Sequence, residues 1–362
     1  MNKDVLIIGG GPAGLSAAVE LATRNVSVAI VDEALELGGK LRQQTQILTS
    51  LPVPSESLRG FELADKLINE VSNLPVHQLL GHRVIGFYEN GSVGITDEQN
   101  VIPVSAKNII VATGAYEKAI PFLKWTLPGI MTIGAAQTLI NKDFVIPGRE
   151  AVVVGISDFS LDVVKQLKSV GVHIKAMIQP KGQVQKYSSE KLEKAQSLGI
   201  QFYQQAEVLE AKGNGKVEEL VIEHEGQQLS FQVEFVCIDG GRSPILDVFY
   251  QLDCSFGYSE ALGGWVPQYD SNFHTSTQNV FLAGNAAGVS RQDVLLLTGK
   301  LAGVSVCENL QVLGNQEANS IKNVIWKEIE TVESNYLPDV WKARKIHIEH
   351  FLQPMLKDQF IS

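Results

Sequence analysis

Apolar and polar positions along the chain fall into short, strongly patterned runs. Val5-Leu6-Ile7-Ile8 is four apolar residues in succession, as a parallel strand buried on both faces requires, and it passes into Gly9-Gly10-Gly11-Pro12-Ala13-Gly14. A helical pattern over 15–22 and an apolar strand over 26–31 follow at once. Over 61–71, Leu63, Leu67, Ile68 and Val71 share one helical face. Strands are expected over 79–87 and 91–95, antiparallel across Glu89-Asn90-Gly91, and over 107–111 before Ala112-Thr113-Gly114. The scheme then recurs: an apolar strand over 151–154, a helix over 161–170, a strand over 172–178, and β-rich runs over 207–236 with a hairpin across Glu225-Gly226. A strand over 235–238 leads to Asp239-Gly240-Gly241, and another over 280–283 leads through Gly284-Asn285 to a helix over 294–310. The tail, 311–362, reads as helical, with Ile321, Val324, Ile325 and Ile329 on one face and Trp341, Ile346 and Phe351 beyond Pro338.

The first strand-turn-helix carries Gly9-x-Gly11-x-x-Gly14, a dinucleotide-binding spacing. Gly9 makes the tight turn, Gly11 lets backbone approach a pyrophosphate, and Gly14 lets helix and strand pack closely. The helix end, with Pro12 and Ala13 in its first turn, offers N–H groups and partial positive charge to the diphosphate. The second strand ends in Asp32-Glu33, an acid about twenty residues on, suited to ribose hydroxyls. Just beyond it, the loop with Gly39, Lys40 and Leu41 brings backbone where a flavin-sized ligand's ribityl chain or ring would lie; as a simple surface turn it is equally ordinary. Ala112-Thr113-Gly114 is a small turn fit for close passage of chain past a ligand. Gly284-Asn285 and Arg291-Gln292-Asp293 precede a helix, giving a polar side chain for hydroxyls and a positive helix end for ring oxygens.

The second strand-turn-helix is damaged: its three glycine positions read Gly155, Ser157 and Ser160. A side chain at the second position sits where backbone should meet a pyrophosphate, and the next strand ends in Gln179-Pro180-Lys181 with no acid for a ribose. Binding of NAD(P)H there is disfavoured.

With 362 residues, two domains are expected. The formal net charge of -10 argues against a general nucleic-acid or anionic-membrane binder. No apolar run reaches membrane-spanning length, and Met1-Asn2-Lys3-Asp4 leads directly into a strand, so no membrane association and a cytoplasmic location are expected. Cys237, Cys254 and Cys307 are isolated, which argues against a dithiol centre or a metal site. His77, His82, His347 and His350 read as surface residues, and no catalytic acid or base is assigned.

Together, Gly9 to Gly14 with Asp32, Ala112-Thr113-Gly114, and Ala283-Gly284-Asn285 with Arg291-Gln292 resemble the FAD-dependent, thioredoxin-reductase-like (pyridine nucleotide-disulfide oxidoreductase) superfamily. The stretches 112–118, 125–132 and 261–267 resemble more specifically the flavoprotein subunits of opine oxidase, hydrogen cyanide synthase and heterotetrameric sarcosine oxidase; the resemblance covers about residues 1–310. It implies an α/β fold of two Rossmann-like three-layer nucleotide-binding domains, the FAD domain discontinuous over 1–118 and 244–310. The second, degenerate NAD(P)-type domain would span 119–243, before the helical tail 311–362. It also implies FAD with its diphosphate over Gly9 to Gly14, its ribose on Asp32, its adenine near Val84 and its ring near Arg291-Gln292-Asp293.

Three departures stand out. Asn285 replaces the family's usual Asp at the ribityl chain; 134–137 reads Gly-Ala-Ala-Gln where thioredoxin reductases carry C-x-x-C; and 311–362 holds no cysteine where the opine-oxidase-like subunits continue into an iron–sulfur segment. The expected function is an FAD-dependent oxidoreductase, one subunit of an amine or amino-acid dehydrogenase or oxidase. Its partners would be a small amine or amino acid or an electron-transfer subunit, in a homo- or hetero-oligomer. An NAD(P)H-dependent flavin reductase and a non-catalytic nucleotide-binding subunit remain the alternatives.

Overall fold

The computed structural model describes residues 1–48, 58–182, 193 and 195–358, with side chains through 351. The chain divides into two compact units: Met1–Arg42, Ile47–Tyr116 and Ser243–Ser362 form the first, Gln43–Gln46 and Glu117–Arg242 the second.

The first unit opens with β1 (Asn2–Ile8), α1 (Pro12–Ala22), β2 (Val28–Asp32), α2 (Gly60–Ser72), β3 (Val76–Leu80), β4 (Arg83–Phe87), β5 (Ser92–Thr96) and β6 (Val101–Val111). Pro12 is suited to helix entry because its ring presets φ and its missing N–H is an orphan there anyway. α2 starts where the Glu62 carboxylate accepts from the Arg59 N–H at 2.7 Å, and it buries Leu63, Leu67 and Val71. The strand expected over 79–87 is two strands. Gly81, at φ +65°, turns the chain between β3, which runs parallel to β2, and β4, which runs antiparallel to β5.

The second unit is reached through β7 (Ala115–Glu117) and holds β8 (Ile130–Thr132), α3 (Ile133–Asn141), β9 (Glu150–Val154), α4 (Asp158–Ser169), β10 (His173–Pro180), β11 (Gln201–Lys212), β12 (Glu219–His224), β13 (Gln227–Gln232) and β14 (Phe235–Ile238); the chain leaves through β15 (Arg242–Pro244). Among the described residues its sheet runs β13-β12-β11-β10-β9-β14-β8, parallel from β11 to β8. Side chains alternate between two apolar layers: Val153, Met177 and Cys237 on one, Val152, Val154, Ile178 and Val236 on the other. Burial on both faces explains the unbroken apolar runs in these strands. The Glu225-Gly226 hairpin forms as expected between β12 and β13.

The chain then completes the first unit with α5 (Asp247–Gln251), β16 (Phe256–Ser259), β17 (Gly264–Pro267), β18 (Val280–Leu282), α6 (Gln292–Asn309), α7 (Asn315–Tyr336) and α8 (Pro338–Asp358). Among the described residues its main sheet has the order β3-β2-β1-β6-β5-β4, with β18 also on β6. The C-terminal half of β6 lies parallel between β1 and β18, while its N-terminal half pairs antiparallel with β5. Strand order reverses at β1, the position where open α/β sheets leave a crevice at their carboxyl ends.

Gly299 and Gly303 let α6 sit directly on α1. A Cβ at Gly299 would lie 2.1 Å from the Ala13 carbonyl oxygen, and one at Gly303 would lie 2.9 Å from Glu20 Cβ. The tail is helical and belongs to this unit, with Pro338 starting a new helix after Tyr336. Its apolar stripe is narrower than expected: Ile325, Ile329 and Phe351 are buried, but Val324 is 55% exposed and Ile346 41%. His347 is not a surface residue; at 7% exposure its ring is held by the Pro267 carbonyl at 2.9 Å from Nε2. No helix among the described residues is long and apolar enough to cross a membrane.

Candidate functional site: a glycine turn that is bare in one unit and capped in the other

Of the three motif glycines after β1, Gly9, Gly11 and Gly14, two are demanded by the protein's own packing. Gly9, at φ +110°, would push a Cβ to 2.3 Å from the Ala112 carbonyl oxygen, and a Cβ on Gly14 would meet the Gly9 carbonyl oxygen at 2.0 Å. Gly11 differs. Its φ of −73° suits any residue, and a Cβ there would have no protein atom within 4 Å. Gly11 is the N-cap of α1 and has no side chain, so no side chain caps the first N–H groups of the helix. An uncapped helix N-terminus of this kind can receive an anion from outside the chain.

Four of the other expected residues, Asp32, Gly39, Ala112 and Gly284, lie against this turn or the start of α1. Asp32 ends β2, where its two carboxylate oxygens accept from the Gly10 N–H at 2.6 Å and the Ala34 N–H at 2.8 Å. These bonds orient the carboxylate and leave further lone pairs for hydroxyl donors. Glu33 beside it is exposed. A single 3₁₀ turn, Gly39–Leu41, comes within contact of the turn: a Cβ on Gly39 would lie 3.0 Å from Gly11 Cα. Leu41 is buried, and Lys40 Nζ donates to the Ala115 carbonyl at 2.7 Å. The His82 N–H donates to the Asp32 carbonyl at 3.0 Å, so β4, with half-buried Val84, starts beside the acid.

After β6, Ala112 closes on Gly9, and Thr113 Oγ1 donates to the Ile245 carbonyl at 3.3 Å. Gly114, at φ +81°, faces open space. From the far end of the unit, Gly284 (φ +72°) reaches the same place, since a Cβ there would lie 2.8 Å from Ala13 Cβ. The Asn285 Oδ1 accepts from the Ser290 N–H at 3.0 Å, which leaves the Nδ2 donor for a ligand. Arg291 is the N-cap of α6 and its guanidinium lies over the Tyr336 ring, 4.4 Å from the centroid. Gln292 follows half-buried, while Asp293 is buried in the first turn, 3.5 Å from Arg291 Nε.

The second unit repeats the scaffold of the first. Gly155 N–H donates to Ile178 at 2.8 Å as Gly9 N–H does to Val31 at 2.9 Å, and the Asp239 N–H donates to Val154 as the Ala112 N–H does to Ile8, both at 2.7 Å. Its helix end, however, is closed. Ser157, at the position of Gly11, accepts the Ser160 N–H at 3.1 Å, and Ser160 Oγ accepts the Ser157 N–H at 2.7 Å. Ser157 Oγ also donates to the Asp239 carboxylate. Phe159, in the first turn of α4, is covered by the Arg242 guanidinium at 4.3 Å. The capping box takes up the Ser157 and Ser160 N–H groups at the helix end, and the Asp239 and Asp158 carboxylates repel a diphosphate. The residues of this turn do not fit a pyridine nucleotide.

Sequence reasoning missed Ser290, Glu333 and Arg344, which tie the 284–291 loop to the tail, and Gly299 and Gly303 on α6. The Gly-x-x-x-Gly spacing was a signal for the glycines; two charges on separate helices carried none for the pair. All three cysteines are free and buried. Burial holds the Cys307 thiol up at about 11 and the Cys237 thiol higher still, so neither supplies a thiolate near neutrality. Among the described residues no group of three or more His, Cys, Asp or Glu is placed to hold a metal ion.

A fold of two nucleotide-type units, the first with an uncapped glycine turn beside an oriented carboxylate, is that of two-domain FAD/NAD Rossmann-type oxidoreductases. Residues 3–307 match the pyridine nucleotide-disulphide oxidoreductase family, and the chain belongs to it as an FAD-dependent oxidoreductase. Hydrogen cyanide synthase subunit HcnB of Pseudomonas aeruginosa is 25% identical over 344 residues, covering 88% of this chain and 74% of that protein. An opine oxidase subunit of Rhizobium meliloti is 25% identical over 330 residues, covering 85% of this chain and 71% of that protein. The thioredoxin reductase of T. acidophilum superposes with a TM-score of 0.71 at 21% identity, over 86% of this chain and 99% of that one, a likeness of fold.

Proposed function

We propose that this chain is the flavoprotein subunit of an amine or amino-acid dehydrogenase or oxidase, drawing its electrons from a small amine or amino acid or from a partner subunit, and not from a nicotinamide nucleotide. One observation carries the reading: the glycine turn of the first unit is bare at Gly11, whereas its counterpart in the second unit is filled by Ser157, Ser160 and Asp239. In this reading Gly9, Gly11, Pro12, Ala13 and Gly14 hold the diphosphate, Asp32 with neighbouring Glu33 takes the adenosine ribose, and Val84 borders the adenine. Gly39, Lys40 and Leu41, with Ala112, Thr113 and Gly114, line the extended cofactor. Gly284 and Asn285 meet the ribityl hydroxyls, with Asn285 giving a neutral donor in place of an acceptor. Arg291, Gln292 and Asp293, at the start of α6, lie toward the ring, where the helix end favours negative charge.

FAD, when bound, takes up the two electrons of substrate oxidation. The residues of the chain bind and orient it; chemistry on the substrate belongs to groups not yet assigned. Both relatives described above are subunits by name, which supports an assembly with a partner chain.

The test is a purified, flavin-loaded chain, alone and with any co-purifying partner, mixed anaerobically with a panel of amines and amino acids and separately with NADH and NADPH. Bleaching of the flavin absorbance by an amine or amino acid is the expected result. Rapid bleaching by a nicotinamide nucleotide would overturn the reading in favour of a flavin reductase.

A further inference from the structure

The C-terminal helices hold an ion pair that takes no part in the cofactor cradle described so far. Glu333 on α7 and Arg344 on α8 are both fully buried. Arg344 Nε donates to Glu333 Oε2 at 2.9 Å and Nη2 to Oε1 at 2.8 Å, a bidentate geometry. Such a pair is weak evidence for stability, because desolvation offsets most of the attraction and well-packed apolar residues often do as well. What it does supply is direction.

Here the direction leads to one loop. Glu333 Oε1 accepts from Ser290 Oγ at 2.7 Å, and Arg344 Nη1 donates to the Ala287 carbonyl at 2.8 Å. Tyr269, also fully buried, donates to the same Ala287 carbonyl and accepts from Arg344 Nη1, each at 2.8 Å. Positions 287 and 290 are thus both fastened to the one ion pair. The Ser290 N–H in turn holds Asn285 Oδ1, and Tyr336 near the end of α7 lies under Arg291. Every polar atom of the pair is spent on this loop, on Tyr269 or on its mate.

We propose that the Glu333–Arg344 pair is a positioning group for the cofactor: through Ser290 and Ala287 it fixes the loop that carries Asn285 and Arg291, so the C-terminal helices form part of the flavin site. This rests on the reading that places the ribityl chain and ring at Asn285 and Arg291. Ser290, Glu333 and Arg344 touch no flavin atom in it; they act through Asn285.

The experiment uses the full chain with Ser290→Ala, Ser290→Thr and Glu333→Gln beside wild type. It measures the FAD dissociation constant, the visible spectrum and midpoint potential of the bound flavin, and the melting temperature of the apoprotein. S290A keeps the buried pair intact and is the decisive variant. FAD affinity is expected to fall about tenfold in S290A with a displaced potential, to fall further in E333Q, and to stay within about twofold of wild type in S290T, which keeps the hydroxyl. Apoprotein S290A is expected to melt no more than a few degrees below wild type, consistent with the loss of one hydrogen bond, and well above E333Q. Equal affinity and an unchanged spectrum in S290A, or an affinity loss matched by a loss of apoprotein stability, overturns this inference alone. A folded wild-type chain that takes up no flavin overturns the flavin reading, and this inference with it.

Discussion

Ser157 Oγ donates to the carboxylate of Asp239, a residue 82 positions away, at the turn where the first unit keeps Gly11 bare. The same scaffold thus meets an outside anion in one unit and its own side chains in the other. Ser157→Ala removes both the cap of α4 and a donor to Asp239, and is expected to cost about 1–2 kcal/mol in urea unfolding. It should gain no NADH binding by calorimetry, since Asp158 and Asp239 remain.

Gly11 and Gly14 separate ligand from fold. Gly11→Ala puts a methyl group into open space at an ordinary φ, so the apoprotein should lose no more than about 0.5 kcal/mol while FAD affinity falls tenfold or more. Gly14→Ala drives a Cβ to 2.0 Å from the Gly9 carbonyl oxygen and should destabilise the apoprotein by about 2–3 kcal/mol or more. Apoprotein melting and flavin titration of the two variants check this; equal behaviour in both would contradict it.

Glu20 is buried on α1 where Gly303 of α6 approaches, and burial raises its pKa despite Arg24 Nη1 at 2.7 Å. The folded state therefore holds this proton at pH values where the unfolded chain has lost it, so stability falls as pH rises above the unfolded value of 4.5 and on through the higher folded one. Glu20→Gln should be more stable than wild type at neutral pH, with the advantage disappearing below about pH 4.5.

His274 and His347 show the opposite linkage. Burial lowers the pKa of both below the ordinary 6.5, so the folded state resists protonation that the unfolded chain accepts. Stability should drop as pH falls below 6.5. A melting series between about pH 7.5 and 5 should be flatter for His347→Gln than for wild type.

The cysteines should be silent. With all three buried and two thiols pushed well above neutrality, native protein at about pH 8 is expected to take up less than about one iodoacetamide label per chain by mass spectrometry, without change in flavin reduction. Fast labelling with loss of activity would reopen a thiol role.

Much of this was legible in the chain because the informative residues are neighbours. Gly9 to Gly14, the apolar strands and Asp32 carry their geometry in local spacing, and the loss of glycine at Ser157 announced a changed site. The break at Gly81 was hidden because residues 79–87 keep one apolar run although the flanking strands pair with different partners in different senses. Val324 and His347 were misjudged for a related reason: helical periodicity says which residues share a face, while the partner decides how much of that face is covered. Glu333 with Arg344, 11 residues apart on separate helices, has meaning only through Ser290 and Ala287.

The interleaving of the two units has a consequence for synthesis. Chain leaves the ribosome from its N-terminus, and 117–242 form almost all of the second unit in one continuous stretch. The first unit waits: β6 is without its neighbour β18 until residue 282 has emerged, and α1 lacks the glycine face of α6 until residue 303. During that interval β1 to β6 expose an apolar sheet edge and helix face, so nascent chains arrested before residue 280 should be the species that chaperones hold, and the first unit can close only once residue 303 has emerged.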